Sequence, residues 1–430
     1  MVNTILRILN FDNDAGMLSL ARLVAALLVG AGAVAPLHAQ PLQADVVHWW
    51  TSGGETAAMR ALADAYRAAG GRWRDLAVPT SDQARTVVLD RIASGHAPTA
   101  AQFNPSRRLV ELARAGQLNA IDDVAAQGRW AQVVPEVLLD AVRVDGHIYA
   151  APISVHMPAW LWSSRPALAK AGVKHEPRSM DELFATLDKL KAAGLIPLAH
   201  GGQPWQDLNL FAAVLANQGG RDLYLAVLRD REPAALQGDA LRQVLLTFKK
   251  LHRYVDPASP GRTWSDTTAL LVGGRAGLQF MGDWVKSEFA QAGQQPGRDY
   301  GCTLALSPRA PYVVDGDVLV FPKGGSRPAQ DLLARVATAP DTQLAFSARK
   351  GSVPVRNDLD VKPLDSCGQL GAAALRDPSR LVGNTELLLV PETLTALEKA
   401  VSDYWHRDVP VAVVQQQITQ TLKNTDRRQP

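Results

Sequence analysis

The chain has 430 residues, of which 47% are hydrophobic and 20% charged, with a net charge of +3 and two cysteines. That length exceeds what one ordinary core fills and points to two domains. The composition excludes a disordered chain, and the near-neutral charge without a basic run excludes nucleic acid as a partner.

In chain order, Arg22 precedes the apolar run Leu23 to Ala35, and Pro36, Leu37, His38 and Ala39 follow. A basic flank, an apolar stretch and a small residue read as an export signal over 1–39, cleaved after Ala39. Asp12 and Asp14 fit that pattern poorly, which makes Met17 an alternative start. The run falls short of the ~20 apolar residues a spanning helix needs. No cysteine follows it to carry a lipid anchor. The expectation is a soluble periplasmic protein. In that compartment Cys302 and Cys367 read as one disulfide, worth ~4 kcal/mol in the chain-entropy account.

The pivotal stretch is VVHWWTSGGE, Val46 to Glu55. β-Branched and aromatic residues open it as a strand, and Thr51 to Gly54 break it. From Glu55 the apolar positions Met59, Leu62, Ala65 and Tyr66 recur at helical spacing. Trp49 and Trp50 thus stand at a strand's C-terminal end, where open α/β sheets place ligands. Two flat indoles beside a carboxylate match a sugar, which presents C–H faces and a rim of hydroxyls. The bland reading is that both indoles are core and Glu55 only favours the helix dipole.

A strand over Leu76–Val78, a helix over Gln83–Ala93, a strand over Ala100–Phe103 and a helix over Arg107–Ala115 continue a βαβα alternation, which argues for a mostly parallel sheet. Asp145-Gly146 marks a hairpin within Val142–Ala151. Trp160 and Trp162, two apart on a strand, share one face and read as core. Met180–Ala193 is a helix opened by a Ser179-x-x-Glu182 capping box. Helices follow over Leu236–Tyr254 and Thr267–Val272, and strands over Ala276–Met281, Tyr300–Leu306 and Asp317–Phe321. A helical tail runs from Thr393 to Leu422. Strands, then helices, then strands again indicate discontinuous lobes: 40–154 plus 307–370, and 155–306 plus 371–430. Crossings near Ile153–Pro158 and Leu306–Val314 would serve as a hinge.

No H-E-x-x-H or paired Cys/His spacing offers a metal site. Gly273 to Gly277 precedes a strand, not a helix, so it is no phosphate cradle. No G-x-S-x-G elbow occurs. No cofactor is implied. Glu55, Asp283 and Asp317 are the carboxylates that would flank a glycosidic bond in a secreted glycoside hydrolase. Arg107-Arg108 is the arginine cluster that a binder of a phosphorylated glycerol ester would need.

The sequence resembles the solute-binding proteins of ABC sugar importers, nearest the glucose-type branch, over almost the whole mature chain. The stretches that carry this are VVHWWTSGGE, AAPISVHMPAWLW, FMGDW, VVDGDVLVFPKG, ARKGSVPVR and SRLVGNTELLLVPE. The resemblance implies an α/β two-lobe fold of the type II periplasmic-binding class, with a hinge and a ligand cleft between the lobes. It implies a non-enzymatic monomer that captures a monosaccharide or small oligosaccharide and hands it to permease subunits driven by an ATPase. Position by position, it makes Trp49 and Trp50 the aromatic wall of the first lobe and Glu55 a hydroxyl acceptor. Gln102 and Asn104 fall on the sugar rim. Trp205 and Trp264 become the stacking residues of the second lobe, and Asp283 and Lys350 polar ligands. The chain departs at Glu386, where glucose-type members carry a histidine nearby, and at AAQFN, where related members carry a lysine. Asp317 and His156 read as structural groups near the hinge. On this basis Trp50→Ala is expected to weaken sugar binding at least tenfold with little loss of thermal stability.

Overall fold

The computed structural model describes residues 42–423. The export signal, its cleavage at Ala39 and the choice between Met1 and Met17 lie outside the described residues. Twelve strands occur among them: β1 (Gln43–His48), β2 (Arg72–Ala77), β3 (Ala100–Phe103), β4 (Arg143–Val144), β5 (His147–Ile148), β6 (Ala150–His156), β7 (Trp160–Ser164), β8 (Ile196–Leu198), β9 (Ala276–Met281), β10 (Tyr300–Thr303), β11 (Tyr312–Val320) and β12 (Leu381–Gly383).

They form two main sheets. The larger has six strands in the order β12-β11-β3-β1-β2, with β6 also paired to β11. Its β1, β2 and β3 are parallel, as the βαβα alternation predicts, whereas β11 runs antiparallel to β3 and β6. The smaller sheet has four strands in the order β10-β7-β9-β8. Residues 157–159 lead from β6 in the large sheet to β7 in the small one, and residues 304–311 return from β10 to β11. The result is a two-lobe α/β fold with its connections at a hinge.

The opening motif folds for readable reasons. Ala44, Val46 and Val47 of β1 are buried, and the chain then turns at Ser52 into the helix Gly53–Ala68. Ser52 Oγ accepts the Glu55 N–H, and Glu55 Oε2 accepts the N–H groups of Thr51 and Ser52, a complete capping box. Gly53 and Gly54 are therefore the first helical residues rather than a turn. Gly54 has a packing reason as well: a Cβ there would overlap Ser287 Cβ at 2.1 Å, so glycine lets this helix approach the one at Val285–Gln291. The helix buries Ala58, Met59, Leu62, Ala63 and Tyr66.

Several boundaries differ from the sequence pattern, each with a cause. β2 starts at Arg72, four residues before the expected strand, because parallel pairing with β1 recruits polar residues onto an exposed edge. β11 starts at Tyr312 although Asp315, Gly316 and Asp317 are poor strand formers. Ladder bonds to β6 hold these three extended, while β12 pairs with Tyr312 to Val314 before them. The tail is two helices, Pro391–His406 and Val411–Lys423, interrupted before Pro410. The hairpin forms as read, Val144 facing His147, with Asp145 and Gly146 both at positive φ. Ser179 caps its helix through the Glu182 N–H, while the Glu182 carboxylate reaches one residue further back, to the Arg178 N–H.

Trp160 and Trp162 are core, stacked with ring centroids 5.4 Å apart. The disulfide joins Cys302 of β10 to Cys367 at the start of the helix Ser366–Ala374, across a separation of 65 residues. That helix packs behind the hinge: a Cβ on its Gly371 would lie 2.9 Å from Val353 and 3.5 Å from Trp160. No helix among the described residues is long and apolar enough to cross a membrane.

Candidate functional site: an indole-lined cleft

A cleft of about 930 Å³ opens among Trp49, Trp50, Trp205, Trp264 and Trp284. Trp49 and Trp50 follow β1, Trp284 follows β9, and Trp205 and Trp264 stand at the starts of the helices Pro204–Val214 and Trp264–Val272. Successive residues at the end of β1 point in opposite senses. Trp49 is half-buried and faces the cleft. Trp50 is only 2% exposed and packs on Phe346 at 5.4 Å. Trp50 is thus mainly a core side chain that shows one edge to the cleft, which overturns the expectation that its removal would spare stability.

Eight of the ten residues singled out from sequence line this cleft: Trp49, Trp50, Glu55, Asn104, Trp205, Trp264, Lys350 and Glu386. Gln102 and Asp283 stand behind the lining. Gln102, 1% exposed, accepts the Trp49 N–H at 3.0 Å and donates to Asp317 Oδ1 at 2.8 Å. Asp283, 2% exposed, meets His156 Nδ1 at 2.6 Å and accepts the Met157 N–H. Both therefore position other groups instead of presenting atoms to the cleft. Asn104 is half-buried and spends its amide N–H on the Gly316 carbonyl at 3.1 Å, leaving its carbonyl oxygen open.

The floor of the cleft is a closed ionic network. His156 ends β6 and lies between Asp317 of β11 (Nε2 to Oδ2, 2.6 Å) and Asp283 beyond β9, while Ser154 donates to Asp317. Burial opposes charge on His156, but Asp283 and then Asp317, working against Lys350, outweigh it and push the imidazole up to about 9. Burial likewise raises Asp317, yet His156, with help from Lys350 and Gln102, holds it down at about 2. His156 and Asp317 are therefore ionised at neutral pH, and both ring nitrogens donate. Asp317 and His156, expected from sequence to satisfy backbone groups near the hinge, bond instead to side chains and line the cleft.

Lys350 is 2% exposed. It lies 3.4 Å from Glu55 Oε1, and its ammonium sits 5.7 Å over Trp50 and 5.9 Å over Trp284. Glu55 divides its work: one oxygen caps the helix and the other meets this lysine. At the other edge Arg85, from the helix Ser81–Ala93, stacks 5.7 Å over Trp49 and reaches Glu386 at 3.8 Å.

Sequence reasoning missed Trp284, Arg85, Asp315 and Glu398. The MGDW stretch pointed at its aspartate, but the residue after it faces the cleft. Asp315 is two before Asp317 on one strand, a spacing that places both on one face. Nothing in the local pattern marks Arg85 or Glu398. Among the described residues no group of His, Cys, Asp and Glu side chains is placed to hold a metal ion.

Residues 50–342 match the family model described as bacterial extracellular solute-binding protein. The chain belongs to that family. A probable sugar-binding periplasmic protein of Rhizobium meliloti (strain 1021) is 39% identical over 358 residues, covering 82% of this chain and 85% of the relative. Among solved structures, the bacterial solute receptor AcbH superposes with a TM-score of 0.77 at 19% identity, over 89% of this chain and 99% of that one. The GacH receptor of Streptomyces glaucescens GLA.O does so with a TM-score of 0.74 at 17% identity, over 90% and 100%. At those identities the likeness is one of fold, and it is the two-lobe fold described above.

Proposed function

We propose that this protein is the periplasmic substrate-binding component of an ABC sugar importer, capturing a monosaccharide or small oligosaccharide without chemical change. The observation that carries the reading is five indoles around one cleft, contributed from both sheets. Indole faces stack on the C–H faces of a pyranose, and the polar groups between them take its hydroxyls. The name of the Rhizobium relative supports the same reading, and the substrate preference reported for AcbH, β-D-galactopyranose, fits a single ring.

We take the lobes as 40–154 plus 307–370 and 155–306 plus 371–430, although β12 of the second pairs on β11 of the large sheet and the boundary at 370 falls inside the helix Ser366–Ala374. Ligand contacts from both lobes exist only when they approach, so a sugar shifts an open–closed equilibrium by its differential affinity. The closed monomer then docks on permease subunits served by an ATPase.

The hydrolase alternative lacks its acid at the expected places. Glu55, Asp283 and Asp317 are each held by a cation, Lys350 or His156. The phosphate-ester alternative is weakened because Arg108 is half-exposed and already paired with Glu111. Titration calorimetry against neutral sugars, short oligosaccharides and glycerol phosphodiesters tests the reading. Saturable sugar binding with no turnover of aryl glycosides supports it; binding of none of the sugars removes it.

A further inference from the structure

The helix Ser81–Ala93 turns Ala84 and Val88 into the core, which leaves Asp82, Arg85 and Leu89, at helical spacing, along the cleft. It follows β2, and Arg85 reaches over the C-terminal ends of the parallel strands β1 and β3, the side on which open α/β sheets bind ligands. There it meets Trp49, just past β1, and Phe103, the last residue of β3. Its guanidinium carbon lies 5.7 Å and 6.0 Å from the two ring centroids.

The rings hold the cation but satisfy none of its N–H groups. Among the described residues Arg85 makes one hydrogen bond, a long one of 3.4 Å from Nη1 to Asp82 Oδ1 on its own helix. Nη2 is 3.8 Å from Glu386 Oε2, beyond hydrogen-bond reach. Nε is buried without an acceptor. Only 23% of the side chain is exposed, so water takes up little of the deficit. The charge of Arg85 is met by two carboxylates; its donors are not. Charged donors left idle away from water cost free energy, and a ligand that brings acceptors recovers it.

Resting on the sugar-binding reading above, we propose that Arg85 sets specificity at this end of the cleft, its Nη1 and Nη2 donating to two adjacent hydroxyl oxygens of a neutral sugar. The planar fork presents two near-parallel donors, which neighbouring ring hydroxyls can accept together. A hydroxyl that accepts from the fork keeps its own proton for a carboxylate, and Glu386 lines the cleft at this edge. A sugar acid is disfavoured here. Its carboxylate on the fork would stand beside Asp82 and Glu386, which already flank the guanidinium at 3.4 Å and 3.8 Å. Trp49 and Phe103 hold the side chain before the ligand arrives, so little side-chain freedom is lost on binding.

The test is titration calorimetry of the mature protein. The probes are D-glucose, D-galactose, D-mannose, D-xylose and maltose, the monodeoxy forms of whichever binds tightest, and D-glucuronate and D-galacturonate. In wild type, two deoxy forms lacking adjacent hydroxyls should bind weakly, and each uronate should bind at least about tenfold weaker than the neutral sugar, the scale of a hydrogen bond to a charged group. Arg85→Met keeps the stem and removes the donors. It should weaken the parent sugar by a similar factor, with the melting temperature nearly unchanged. In that variant the same two deoxy forms bind as well as the parent, while the other deoxy forms keep their wild-type ratios. Arg85→Lys, a cation without the fork, should retain at most one of the two hydroxyl preferences, and it carries the same comparison should Arg85→Met fail to fold. Unchanged affinity in Arg85→Met, or an equal loss for the parent and every deoxy form, overturns this inference and leaves the sugar-binding reading intact. Tighter binding of a uronate than of any neutral sugar does the same. Binding of none of the probes to wild type overturns both.

Discussion

The two walls of the cleft are built on opposite principles. The large-sheet wall carries charge locked in place: Glu55 on Lys350, Asp317 on His156, Arg85 on Trp49 and Glu386. The wall towards the small sheet offers half-buried indoles, Trp205, Trp264 and Trp284, together with the Glu398 carboxylate. Charges that are already paired need no rearrangement when a polar ligand arrives, so the first wall sets orientation. Bare rings gain only when something flat covers them, so the second wall rewards closure. Side chains on the first wall are fastened to the fold. On the second they are half-buried, each packed against the core.

That difference predicts which substitutions damage folding and which damage binding. Trp50→Ala removes a buried indole from the first wall and should cost about 3–5 kcal/mol of stability. A melting curve within a degree of wild type would contradict the burial of Trp50. His156→Gln leaves Asp283 and Asp317 facing each other without a cation, a loss of roughly 3–5 kcal/mol for a broken buried pair.

The same variant carries a pH signature. His156 is raised from 6.5 to about 9, so its contribution is complete below 6.5 and is lost as pH rises through about 9. Asp317 is lowered from 3.8 to about 2, so its contribution is present above 3.8 and is lost as pH falls through about 2. Wild type should therefore lose melting temperature between pH 7 and 9.5, and His156→Gln should lose much less over that range. Parallel curves would mean that His156 is not held as the imidazolium.

On the second wall, Trp264→Ala should raise the dissociation constant for the preferred sugar about tenfold, ~1.4 kcal/mol, with the melting temperature nearly unchanged. A large drop in stability without a change in affinity would erase the contrast between the walls. A second pH effect belongs to Glu398. Burial, with Asp82 and Glu386 adding repulsion, raises it from 4.5 to about 7. Its folded form prefers the proton, so the site loses stability as pH rises from 4.5 through 7. Glu398→Gln should gain on wild type between pH 5 and pH 8 in thermal melts.

Legibility in the sequence followed the same division. The strand–helix start, the Trp160–Trp162 pair and the Asp145-Gly146 hairpin depend on residues close together in the chain, and periodicity reveals them. The identities at the cleft were readable where a family pattern repeats them. Their directions were not. Trp49 and Trp50 look alike in sequence, but strand geometry sends one to the cleft and the other against Phe346. Asp283 looked like a ligand and is a support for His156, a pairing across 127 positions that no local rule shows. Arg85 and Glu386 meet across 301 positions only because a helix after β2 and one after β12 share the cleft.

The covalent tie between Cys302 and Cys367 has a consequence for biogenesis. With two cysteines in the whole chain, one intramolecular partnering is possible. Thiol–disulfide exchange within a single molecule can never trap a mispaired intermediate. An oxidant alone completes the chain, and a shuffling catalyst finds nothing to correct.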